Sequence, residues 1–101
     1  MSNPNEQVEV LDRVKITPPK KWNVIFYNDD KTPVDFVIAV LIEQYNHNLE
    51  KAKEITLNIH EKGKGVAGTY YLEIAEHKCS ETTKFARSEG FPLQVDIEKT
   101  K

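Results

Sequence analysis

The chain has 101 residues, 39% hydrophobic and 30% charged, with a formal net charge of −2. That is enough for one domain with a modest core, and it supplies no bulk positive field to draw the chain to nucleic acid or acidic lipid. The longest apolar run, 36–42, falls far short of the roughly 20 residues that span a bilayer, MSNPNEQVEV has neither the basic start nor the apolar block of a secretory signal, and one cysteine, Cys79, makes no internal disulfide and fits a reducing compartment.

Residues 1–19 read as a flexible N-terminal arm and 20–101 as the folded domain. The arm mixes Asn, Glu, Gln and Lys with scattered apolar residues and ends in Pro18-Pro19, which blocks a helix and favours an extended entry. WNVIFY, Trp22 to Tyr27, is short, bounded, β-branched and aromatic, as expected of a buried strand. A helix is expected to start at Thr32-Pro33-Val34-Asp35, with Thr32 as cap, Pro33 in the first helical position and Asp35 in the first turn. Val34, Val37, Ile38, Leu41, Ile42 and Tyr45 carry it at helical spacing to about Asn46. Asn48 can cap a second helix with Leu49, Ala52, Ile55, Thr56 and Ile59 on its inner face and Gly63 as C-terminal cap. VAGTYY, Val66 to Tyr71, predicts a second strand, where Gly65 and Gly68 suggest a turn and a close backbone approach. A third helix is expected from Leu72 to about Glu89, with Ala75, Cys79, Thr82 or Thr83, and Ala86 on a narrow inner face and Gly90 ending it. LQVDI, Leu93 to Ile97, alternates and predicts a half-exposed last strand. The fold class is α+β: a small three-stranded antiparallel sheet with three helices packed on one face, in the order β-α-α-β-α-β.

The stretch FYNDDKTPVDFV raises the functional question. Asn28, Asp29 and Asp30 fall between the strand end and the first helical turn. Spacing alone favours turn chemistry, in which Asn and Asp bond nearby amides; capture of a cation or amine is the next reading. A metal needs more ligands around one point than these supply. His60 ends the second helix, where it could cap, charge, or accept a hydrogen bond through a neutral ring nitrogen. Glu73 and His77, one helical turn apart, read as a solvated pair. No nucleophile elbow, P-loop or dinucleotide fingerprint occurs, and Cys79 on an apolar helix face is poorly placed as a nucleophile. No catalytic residue, metal or cofactor is expected. These features by themselves reach a soluble α+β domain with a polar corner and no further.

PPKKWNVIFYNDDKTPVDFV, LEKAKEITLNIHEKGKGVAG and YYLEIAEHKCSETTKFARSEGFPLQVDIEK together resemble ClpS, the adaptor family of the bacterial and plastid Clp protease system. The resemblance runs from Pro18 to Lys99. Its most specific pieces are NDDKTP with Phe36-Val37, His60 followed by Gly63-Lys64, Ala67-Gly68, Glu73 to Lys78, and Pro92-Leu93. It implies an adaptor that catalyses nothing, recognises N-degron proteins beginning with Leu, Phe, Tyr or Trp, and hands them to the N-domain of an AAA+ unfoldase, ClpA or ClpC. It implies a cytoplasmic location, in a bacterial cytosol or a plastid stroma. By position, Asn28, Asp29 and His60 would bind the substrate's α-amino group. Thr32, Val34, Val37, Thr56, Ile59 and Leu93 would line the side-chain pocket, Glu73 and Lys78 would contact the unfoldase, and the arm would serve delivery. Asp30 would brace the corner or cap the helix. Val34 and Thr56 stand where many family members carry Met, so the pocket is expected to be wider or slightly more polar. An alternative is an unfoldase regulator with weak or altered N-degron recognition; a small metal-dependent hydrolase using Asp29 and His60 is the competing class, and metal analysis of the purified protein distinguishes it.

Overall fold

The computed structural model describes residues 19–101. The arm expected over 1–19 lies, except for Pro19, outside the described residues. The elements follow as β1 (Lys21–Tyr27), α1 (Val34–Glu43), α2 (Leu49–Lys62), β2 (Lys64–Tyr71), α3 (Leu72–Ser88) and β3 (Gln94–Lys99), the expected order.

β1 is the centre of a three-stranded sheet, antiparallel to β2 on one side and β3 on the other. That position explains why its sequence does not alternate. Val24 and Phe26 are fully buried in the core, while Ile25, which must point to the opposite face, is still only 3% exposed beside Val66 and Asp96. Against Val24 and Phe26 pack Val37, Val40 and Leu41 of α1, Ala52, Ile55 and Ile59 of α2, and Ala75 and Ala86 of α3. The alanines let α3 lie close to the sheet. Each large side chain removed from water here contributes about 1.5–3 kcal/mol. One polar pair enters this core: the Tyr45 hydroxyl and Thr82 Oγ1 share a 2.7 Å hydrogen bond, which satisfies both groups and so removes the penalty of burying them. Burial pushes the Tyr45 phenol well above its ordinary pKa.

The register slips between Val24, opposite Gly68, and Ile25, opposite Val66, so Ala67 is an extra residue in β2. Its carbonyl, turned out of the ladder, accepts a hydrogen bond from His47 Nε2. β2 begins at Lys64, two residues before the expected start, because Lys64 and Gly65 continue the pairing with Tyr27 and Phe26.

The helix ends separate what patterns reveal from what they hide. Asn48 caps α2 as expected, its side chain accepting from Lys51 N at 2.8 Å. Gly63 closes α2 in the left-handed region (φ 87°), its N–H donating to the Ile59 carbonyl at 2.9 Å. α1 departs from expectation at both ends. Thr32 is not its cap: Pro33 holds the cap position, extended at φ −65°, ψ 142°, with no side-chain cap bond, and the helix starts at Val34. The Thr32 hydroxyl is spent on Asp29 instead. At the other end α1 stops at Glu43, and Asn46, at φ 58°, turns the chain toward α2. Leu49, expected inward, is 52% exposed in the first turn of α2. His77 pairs with Glu81 at 3.2 Å rather than with Glu73.

Candidate functional site

Three turns converge at one end of the molecule. β1 ends at Tyr27, and the Asn28 N–H donates at 2.9 Å to the carbonyl of Gly63, the residue that terminates α2. This bond sets the strand end beside the last turn of α2, which carries His60. Gly65 then passes so close to α2 that a Cβ there would stand 2.8 Å from Ile59 Cγ1, so glycine lets β2 lie against a wall of the site.

Asp29 organises the corner. Its Oδ1 accepts from Lys31 N at 2.8 Å and Thr32 N at 2.7 Å, and its Oδ2 accepts from the Thr32 hydroxyl at 2.8 Å. The brace expected from Asp30 is thus made by Asp29. Burial alone would raise the Asp29 pKa; the Thr32 backbone and hydroxyl bonds, the Lys31 bond and the positive charge of Arg87 outweigh it and hold the carboxyl below its ordinary 3.8. A carboxylate has about four acceptor positions. Three are used here, which leaves Oδ2 one position for an incoming donor.

A cavity of about 310 Å³ opens at this corner. All nine residues expected to take up a substrate line it. Leu93, Ile59, Val37 and Thr56 are the buried ones, between 1% and 9% exposed, and make its apolar depth. Thr32 and Val34 form a wall, Val34 being 59% exposed. Asn28, Asp29 and His60 stand at the rim. Thr56 does not add polarity: its hydroxyl donates to the Ala52 carbonyl one turn back at 2.7 Å, leaving its methyl for the cavity. A second hollow, about 360 Å³ and lined by Ile38, Lys53 and Leu57, shares Val34, Thr56 and His60 with the first.

Tyr27 and Asp30 also line the cavity and were missing from the expected set; both are chain neighbours of residues in it, which was the available signal. Glu73 and Lys78 lie elsewhere, on α3. Glu73 is exposed, while Lys78 is half-buried, bonded through Nζ to the Gln44 carbonyl and set over the rings of Tyr45 at 5.4 Å and Tyr70 at 5.6 Å. Cys79 points at the sheet, its Sγ donating to the Val95 carbonyl at 3.4 Å, and burial raises its pKa, the wrong direction for a reactive thiolate. Among the described residues no three His, Cys, Asp or Glu side chains converge as a metal would require. The site therefore joins an apolar recess to a rim of hydrogen-bond acceptors, an arrangement suited to a ligand with a cationic head and a greasy side chain.

The family model for the ATP-dependent Clp protease adaptor protein ClpS matches residues 17–96. An ATP-dependent Clp protease adapter protein ClpS from Oleidesulfovibrio alaskensis is 43% identical over 94 residues, covering 93% of this chain and 90% of the relative. One from Vibrio atlanticus is 38% identical over 98 residues, 97% of this chain and 92% of the relative. Among solved structures, Agrobacterium tumefaciens ClpS2 bound to L-phenylalaninamide matches with a TM-score of 0.78 at 32% identity, over 81% of this chain and 99% of that one.

Proposed function

This chain belongs to the ClpS family of Clp protease adaptors, and on that premise we propose that its cavity binds the first residue of N-degron proteins, amine at the rim and side chain in the recess. The observation that carries this reading is the single cavity in which four buried apolar or methyl-bearing side chains lie beneath Asn28, Asp29 and His60. L-phenylalaninamide, which the similar Agrobacterium tumefaciens protein binds, has the matching parts: a free α-amine and an apolar side chain.

An α-amino group has a pKa of about 7.7–8.0 and is mostly an ammonium with three donors at neutral pH. The Asn28 carbonyl, the open position on Asp29 Oδ2 and a His60 ring nitrogen supply three acceptors. Each charge-assisted bond contributes roughly 1.5–3 kcal/mol, and burial of a Leu or Phe side chain a similar amount. Association costs consume either contribution alone, so useful affinity demands both a free amine and a fitting side chain. An internal Leu fails, because its nitrogen is a neutral amide with one donor.

The chain itself catalyses nothing in this reading and passes its ligand to the N-domain of an AAA+ unfoldase, ClpA or ClpC. Glu73 and Lys78 of α3 would make that contact, Lys78 as a cation already held in place by Gln44 and two tyrosine rings. The exposed Tyr71, Leu72 and Ile74 beside Glu73 give the same face apolar area to bury. No helix among the described residues is long and apolar enough to cross a membrane, and the cytoplasm is the compartment proposed.

A panel of short peptides differing only in the first residue tests the pocket. Leu, Phe, Tyr and Trp are expected to bind, and Ala, Asp or Lys to bind at least about tenfold more weakly, the equivalent of losing roughly 1.5 kcal/mol of buried side chain. Equal titration curves across the panel would refute selection by this recess.

A further inference from the structure

The floor of the cavity is held by a residue outside it. Leu93, 1% exposed, belongs to the short segment between α3 and β3 rather than to a regular element. That segment turns at Gly90, in the left-handed region at φ 82°, and is tied back at its start by Phe91 N, which donates to the Ala86 carbonyl at 2.9 Å. The Phe91 ring packs edge-on to Phe36 at 4.8 Å. Neither contact reaches past Pro92, which has no N–H to offer. Arg87, in the last turn of α3, does reach past it: its Nη1 donates at 2.9 Å to the Phe91 carbonyl and at 2.9 Å to the Leu93 carbonyl. One guanidinium nitrogen carries two hydrogens and can serve both carbonyls together, from a planar group whose other nitrogens keep it oriented. The two bonds straddle Pro92 and, with the pairing of Gln94 to Tyr27 just beyond, hold the segment from which Leu93 lines the cavity beside Val37 and Ile59.

We propose that Arg87 is a positioning residue which, by clamping the carbonyls on either side of Pro92, sets the depth of the recess through Leu93 and so tunes the size of side chain it accepts. This rests on the proposed function of the cavity and adds a residue that touches no ligand. The positive charge of Arg87 also helps hold the Asp29 carboxyl below its ordinary pKa.

The test compares Leu-first and Trp-first peptides, identical thereafter, on the full chain and on its Arg87→Gln and Arg87→Lys variants. The readout is the ratio of the two dissociation constants. Any altered field at the mouth acts on both free amines alike and cancels from that ratio. Releasing the clamp lets Leu93 retreat, so Arg87→Gln is expected to move the ratio about fivefold or more toward the Trp-first peptide. Arg87→Lys, which can bond the carbonyls but lacks the rigid fork, is expected to move it in the same direction by less, and it carries the test should the Gln variant not fold. Tyr45→Phe is the control for general loosening: it removes the hydroxyl bonded to Thr82, a pair that shares no bond with the clamp and does not line the cavity, and is expected to leave the ratio in place. Peptides that bind with a ratio no different between Arg87→Gln, or Arg87→Lys if that variant alone folds, and Tyr45→Phe would overturn the role of Arg87. Absence of binding by the unaltered chain to either peptide would instead refute the reading of the cavity, and with it this proposal.

Discussion

Acetylating the α-amino group of a Leu-first peptide is expected to weaken binding by about a hundredfold or more, roughly 3 kcal/mol. The magnitude follows from what the rim loses. The ammonium offers three donors and a full charge to Asn28, Asp29 and His60, and the acetylated nitrogen offers one neutral N–H. At roughly 1.5–3 kcal/mol per charge-assisted bond, two lost bonds account for the whole effect, even after allowance for solvent at an open rim. The acetyl group must also be accommodated at the rim beside those three side chains. Titration by calorimetry or fluorescence anisotropy near neutral pH measures the difference, and equal affinities would contradict it. The pH dependence has a definite sign. Above about pH 8 the amine sheds its proton, so affinity for the free peptide is expected to fall as pH rises through that value, while the acetylated twin shows no such step.

Replacing Asp29 by Ala is expected to have two separable effects. The carboxylate accepts both backbone N–H groups of Lys31 and Thr32 and the Thr32 hydroxyl, so its loss is expected to destabilise the fold by about 1–2 kcal/mol, the usual scale for removing a side chain that caps free amides. It also removes the only anionic acceptor among the three proposed for the amine, with an expected loss of about 1.5–3 kcal/mol in binding, roughly ten- to hundredfold. Asp29→Asn separates the two. Its amide oxygen can keep the Lys31 and Thr32 N–H groups and its NH₂ can donate to the Thr32 hydroxyl, while the charge and the open acceptor position for the amine are both gone. The variant is expected to melt near the unaltered protein yet bind poorly. Acid behaviour supplies an independent check. The folded-state pKa of Asp29 lies below 3.8, so its ionised form stabilises the fold fully above the unfolded value and loses that contribution as pH falls below it through the folded value. Stability of Asp29→Asn is accordingly expected to decline less over that acid range. Unchanged binding by Asp29→Ala would contradict the assignment.

What could be read in advance depended on whether a residue's partner was near in sequence or repeated in a pattern. β1 reads as an apolar run because Val24 and Phe26 face the core and Ile25, on the other face, is screened between Val66 and Asp96 of the flanking strands, and α2 is bracketed by Asn48 and Gly63, whose conformational preferences act within one turn. The start of α1 was misread because Thr32 has two possible uses, capping the helix or closing a turn with Asp29, and composition does not say which prevails. Leu49 looked internal by spacing, but the first turn of α2 extends beyond the core it would bury against. The site was legible only through resemblance. Its acceptors and its apolar lining come from the loop after β1, from α1 and α2, and from the segment before β3, and no local pattern announces that these meet. Arg87 was hidden most completely, since an arginine in a last helical turn reads as ordinary surface charge until the carbonyls of Phe91 and Leu93 are seen to face it.

A single ligand is expected to satisfy both halves of the cavity, and a crystal structure of the chain with a Leu-first peptide measures that directly. The expected result has the terminal nitrogen within hydrogen-bond distance of Asn28, Asp29 Oδ2 and the His60 ring, with the leucine side chain lodged among Val37, Ile59 and Leu93. A terminal nitrogen turned into bulk solvent, or a leucine side chain lying outside the recess, would contradict it.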